Sequence, residues 1–135
     1  SGRAAEHFAK MVTALGGPAD FVEAMDRHLA PAPIIRDVFA DGEGTIAQID
    51  TRGVGMAVVA LGGGRATPTD AIDHRVGFDR LAGLGAKVDA GTPIARIHAA
   101  DEASAADAEG RLRLAYRLGT QASVEPLIAG RISAP

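Results

Sequence analysis

Apolar residues at Phe8, Met11, Val12 and Leu15 recur at i, i+3, i+4 and i+7, which marks one face of a helix that Gly16-Gly17-Pro18 ends. The same spacing in Phe21, Val22, Met25 and Leu29 predicts a second helix, started by Pro18 and stopped by Pro31 and Pro33. Together they make a short antiparallel helical pair. Such a pair buries too little apolar surface to stand alone, so its stripes must rest on the remainder of the chain or on something beyond it.

After the prolines the period shifts towards two. The β-rich runs 34–40 and 44–50 flank Asp41-Gly42-Glu43 and read as a hairpin. Thr51 can then cap a helix over 52–61, with Val54, Val58 and Leu61 on one face and Gly62 as its stop. Gly53 and Gly55 weaken that helix by roughly 1 kcal/mol each relative to Ala. A short strand is expected over 72–78. A second hairpin is expected where Val88 leads through Ala90-Gly91-Thr92 into an alternating run, with Ile94, Arg96 and His98 on one side and Ala95, Ile97 and Ala99 on the other. Asp101 then caps a helix running to Leu118, with Ala105, Ala108, Leu112, Ala115 and Leu118 inward and Gly119 as its stop. Residues 122–133 read as a strand that Pro126 confines to an edge or a bulge. The expected fold class is α+β: the helical pair at 1–31, then a small mixed α/β domain over 32–135.

Composition narrows the function classes. The chain has 135 residues, 47% of them hydrophobic, enough for one compact domain with a helical appendage. A net charge of -3 offers no basic field for nucleic acid or anionic lipid. Without cysteine there is no disulfide framework, thiolate nucleophile or Cys-ligated zinc, and the cytoplasm is the expected compartment. The apolar stretch 55–64 falls short of the ~20 residues a membrane helix needs.

Chemistry-bearing motifs are sparse. The run Gly85 to Ile94, of the form Gly-x-x-Val-x-x-Gly-x-Pro-Ile, resembles the corner hairpin of biotinyl and lipoyl domains. A swinging-arm carrier, however, needs a lysine further on, and the only lysines are Lys10 and Lys87. The glycines of 62–64 with Arg65 invite comparison with a phosphate cradle. They follow a helix rather than precede one, so a helix C-cap is the better reading. His7, His28, His74 and His98 share no metal-ligand spacing, and a zinc site is not expected. Asp73-His74 is an adjacent acid and imidazole, but neighbours in an extended segment point to opposite faces. Ser104, Ser123 and Ser133 have no evident base, and Glu102, Asp107 and Glu109 read as the solvated face of the last helix. No catalytic residue and no cofactor is expected in this chain.

Four blocks, 1–18, 49–65, 72–78 and 81–105, resemble in order and spacing the C-terminal third of the thymidine and pyrimidine-nucleoside phosphorylases. Members of that family are about three times as long, with a helical domain and a large α/β domain ahead of a hammerhead-like, barrel-sandwich C-terminal domain. The resemblance implies a fragment of an enzyme of reversible phosphorolysis, in which phosphate attacks the anomeric carbon of a pyrimidine nucleoside. The partners it implies are the N-terminal helical and α/β domains of the same chain, phosphate and a pyrimidine nucleoside, in a homodimer. The family's Lys-His-Ser-Thr-Gly-Gly phosphate loop has no counterpart here, so the fragment alone is expected to be inactive. Residues 1–31 would then close the large α/β domain. Gly63, Gly64, Arg65 and His74 are the expected interdomain or cleft-wall residues. The alternative is a non-catalytic binding or scaffold module built on a biotinyl/lipoyl-like architecture.

Overall fold

A computed structural model describes residues 2–122, 126, 128 and 130–132. Half of the strand expected over 122–133 lies outside the described residues. The chain divides into two compact units, Ser1–Ala32 and Pro33–Pro135.

In the first unit, helix α1 spans Arg3–Ala14 and buries none of its residues. It ends where Gly16, at φ +86°, takes the left-handed conformation open to glycine. The N–H of Gly16 then donates to Thr13 O and that of Gly17 to Val12 O, the paired bonds of a Schellman motif. The second helix is much shorter than its periodicity suggests: α2 is the single turn Met25–His28, and residues 19–23 form turns. Helices this short are marginal, and side-chain contacts within the segment prevail. Phe21 lies edge-on to Phe8 and stacks on His28, whose Nε2 meets Asp20 Oδ1 at 2.9 Å.

The second unit contains β1 (Ile34–Phe39), β2 (Gly44–Ile49), α3 (Thr51–Ala60), β3 (Gly77–Asp79), β4 (Lys87–Val88), β5 (Pro93–Ala99), α4 (Glu102–Ala115) and β6 (Tyr116–Gly119). Two antiparallel three-stranded sheets result, ordered β1-β5-β3 and β4-β2-β6. The α+β class is as expected, and among the described residues the sheets do not close into a barrel.

Neither expected hairpin forms. β1 pairs with β5 and β2 with β4 and β6, so 40–43 carries the chain from one sheet to the other. Gly44, at φ +153°, starts β2 where a Cβ would lie 3.3 Å from Gly119 O. Likewise β4 and β5 belong to different sheets. The strand expected over 72–78 contracts to Gly77–Asp79. Asp50 rather than Thr51 caps α3, its Oδ1 accepting the Gly53 N–H at 2.9 Å. The last helix stops at Ala115, three residues before the expected end, and Tyr116–Gly119 pairs with β2 instead.

The core draws on both sheets and on α3 and α4. Val38, Ile46, Ile94, Ile97 and Leu112 are fully buried, each contributing roughly 1.5–3 kcal/mol. Alternation along β5 holds for Ala95, Ile97 and Ala99 inward and Arg96 and His98 outward. Ile94 departs from it and is buried. Val38 opposes Ala95 and Phe39 opposes Pro93, so Ile94 is the extra residue of a bulge, which turns its side chain inward. On α4, Asp101 and Ser104 form a reciprocal capping box, and Ala105, Ala108, Leu112 and Ala115 face the core.

Candidate functional site

The loop from Gly62 to Val76 carries all four residues singled out from sequence, and its shape starts at the end of α3. Gly62, at φ +91°, terminates the helix; its N–H donates to Val59 O and the Gly63 N–H to Val58 O, both at 3.0 Å. This is a second Schellman motif. A Cβ on Gly63 would sit 2.9 Å from Val58 Cγ1 and 3.2 Å from Val76 O; one on Gly64 would sit 2.9 Å from Val59 Cγ2. These glycines allow the loop to lie tightly on α3. Because the N–H groups of Gly62 and Gly63 are spent on the cap, the run is no phosphate cradle.

Carboxylates fix the rest of the loop. Asp70 accepts from the backbone N–H groups of Ala66 and Thr67 and from the Thr67 hydroxyl, which holds its carboxyl below the ordinary carboxylate range. Asp73 receives Nε and Nη2 of Arg75 at 2.9 and 2.8 Å as well as the Arg75 N–H. Those bonds bring its pKa down to about 2. The backbone N–H of Asp73 donates to Gly62 O at 2.9 Å and closes the loop at its neck. Asp73 therefore pairs with Arg75, not with His74. Arg65 and His74 stay exposed, and among the described residues neither side chain forms a hydrogen bond or an ion pair. The structure thus holds the candidates on one stapled loop without joining Arg65 to His74. Asp70 and Arg75, which shape the loop, escaped the sequence reading. The Thr67-Pro68-Thr69-Asp70 turn and the Asp-x-Arg spacing were their available signals.

Elsewhere, charged side chains brace elements. Arg36 on β1 reaches Glu102 and Glu109 on α4, and Arg113 bonds Glu109 and the carbonyl of Phe39. Glu109 is therefore half-buried in a network rather than part of a solvated face. On the outer face of the first sheet, Arg96 forks onto Asp37 and lowers its pKa, while His98 lies 3.4 Å from Asp79. Ser104 serves the α4 cap. Among the described residues no cluster of three His, Asp or Glu could hold a metal ion.

The model of the pyrimidine nucleoside phosphorylase C-terminal domain matches residues 45–119, from β2 through the stapled loop to the end of β6. The chain belongs to this family. As a pyrimidine nucleoside phosphorylase C-terminal domain it has relatives that extend beyond the matched region at both ends. Over 132 residues, 98% of the chain, it is 49% identical to the thymidine phosphorylase of Burkholderia cenocepacia. It is 48% identical over the same span to the thymidine phosphorylases of Burkholderia orbicola and Burkholderia lata. The chain spans 30% of the length of these relatives. Among the described residues, no helix of this phosphorylase C-terminal domain is long and apolar enough to cross a membrane.

Proposed function

We propose that this chain is the C-terminal part of a cytoplasmic, homodimeric thymidine phosphorylase, an enzyme that converts thymidine and phosphate to thymine and 2-deoxyribose 1-phosphate. The identity of 48–49% along 98% of the chain to thymidine phosphorylases carries the reading. In it the bond-making groups lie in the preceding domains, and residues 1–31 close the large α/β domain. The loop from Gly62 to Val76 forms part of the wall of the substrate cleft. Gly63 and Gly64 permit its close packing on α3, and the exposed Arg65 and His74 present hydrogen-bond donors across the domain boundary. A cleft wall has to hold its shape while the cleft closes, and the neck bond and the two carboxylate clasps supply that stiffness.

Thymidine phosphorolysis by the full-length polypeptide, set beside the 135-residue chain alone, tests the reading. Turnover is expected only from the full-length form; its absence there, or its presence in the short chain, refutes the assignment. In the full-length form, Arg65→Gln or His74→Gln is expected to lower kcat/KM by roughly tenfold, the cost of one charge-assisted hydrogen bond. Unchanged kcat/KM in both variants removes the loop from the cleft.

A further inference from the structure

A cavity of about 360 Å3 opens on the side of the second unit where β2 enters α3 and α4 enters β6, and Gln48, Thr51, Arg52, Leu114 and Arg117 line it. Two arginines line this cavity, Arg52 and Arg117, on a chain whose net charge is -3. Arg117 lies directly opposite Gln48 in the β2–β6 pairing, and Arg52 comes from the first turn of α3. Arg36, Arg75, Arg96, Arg111 and Arg113 all form ion pairs, whereas among the described residues Arg52 and Arg117 form none. The one carboxylate at the rim, Asp50, has its Oδ1 committed to the Gly53 N–H. The backbone is braced as well, because the Asp50 N–H donates to Ala115 O at 2.8 Å and ties the start of α3 to the end of α4. The end of the helix is not what recommends the site: its Gly53 and Val54 N–H groups are already taken by Asp50.

We propose that the cavity between Arg52 and Arg117 binds a phosphate monoester. Planar guanidinium forks suit the oxygens of a phosphoryl group and bind them bidentately. The Gln48 amide and Thr51 hydroxyl add neutral donors. Ile49 and the exposed Leu114 form an apolar wall that a bare oxyanion would leave unused, so an organic remainder of about pentose size fits better than inorganic phosphate. The site stands whether or not the full-length polypeptide phosphorolyses thymidine.

The test titrates the 135-residue chain with ribose 5-phosphate, inorganic phosphate and, at matched ionic strength, sodium chloride, following backbone amide resonances by NMR. Saturable shifts confined to residues 48–52 and 114–117 are expected, with the ester binding more tightly than the free ion. Arg52→Gln and Arg117→Gln are each expected to weaken ester binding about tenfold, the loss of one charged hydrogen-bonding pair. Both positions are exposed, so folding is expected to survive; Arg52→Lys and Arg117→Lys, which keep charge but lose the fork, provide a second series that should weaken binding by a smaller factor. No saturable response, a response that chloride reproduces, equal affinity for ester and free phosphate, or binding indifferent to both arginines would overturn the proposal.

Discussion

The carbonyl oxygen of Gly62 accepts the backbone N–H of Asp73 at 2.9 Å, so the residue that ends α3 also anchors the far side of the loop that follows. One end of that bond depends on a left-handed glycine, the other on a carboxylate clasped by Arg75. The loop is therefore stiff at its neck while Arg65 and the residues 66–69 that follow it are open to solvent.

Glycine substitutions should separate packing from backbone freedom. Gly63→Ala places a methyl 2.9 Å from Val58 Cγ1 and 3.2 Å from the Val76 carbonyl, and is expected to destabilise by about 1–3 kcal/mol. Gly55→Ala, within α3 with nothing within 4 Å, is expected to stabilise by about 0.5–1 kcal/mol. Urea unfolding of the two variants beside the parent chain checks both signs.

The Asp73 clasp predicts a pH dependence of definite sign. Its folded-state pKa, near 2, lies below the ordinary 3.8, so its contribution to stability is complete above the ordinary value and is lost as pH falls towards 2. The difference in unfolding free energy between the parent chain and Asp73→Asn should be constant above about pH 5, shrink between about pH 4 and 2, and vanish below that. Denaturant melts across this range measure it. A difference that persists undiminished from about pH 5 to below about pH 2 would mean that a hydrogen bond indifferent to ionisation is responsible.

Positions along β1 and β5 should respond according to the side of the sheet they face. Ile97→Ala empties a fully buried site and is expected to cost about 2–5 kcal/mol. Ile35→Ala, on the exposed face of the same sheet, is expected to change stability by no more than about 0.5 kcal/mol. Chemical denaturation of the two single variants gives the comparison directly.

Local order was legible in the sequence, and the pairing of elements was not. Periodicity located α1, α3, β1, β2, β5 and most of α4, because each shows its burial pattern within its own few residues. It could not report that β1 crosses to β5 and β2 to β6, since those partners lie far along the chain and Asp41-Gly42-Glu43 is equally compatible with a sheet-to-sheet crossing. Tyr116–Gly119 shows the same limit. Leu118 continues the helical spacing of Leu112 and Ala115, yet Tyr116 donates its hydroxyl to Ala82 O and the segment completes the second sheet. In the candidate loop, the special glycines could be seen, but the carboxylate clasps depend on turns whose closure only the folded chain reveals.

A last expectation concerns autonomy. The hydrophobic core of the second unit is built from residues between Ile34 and Leu118, and the capping box of α4, the Asp50 cap of α3, the Schellman turn and the ion pairs that brace it also lie within Pro33–Pro135. A unit with its own core and its own satisfied helix ends meets the requirements of an independently folding domain. Residues 33–135 expressed alone should therefore unfold in one cooperative transition, with coincident far-ultraviolet circular dichroism and tyrosine fluorescence curves from Tyr116, the chain's single tyrosine. Residues 1–32, by contrast, bury none of the α1 side chains and should show little helicity as a free peptide. A broad transition for 33–135, with the two probes diverging, would show that the core needs support from outside the unit.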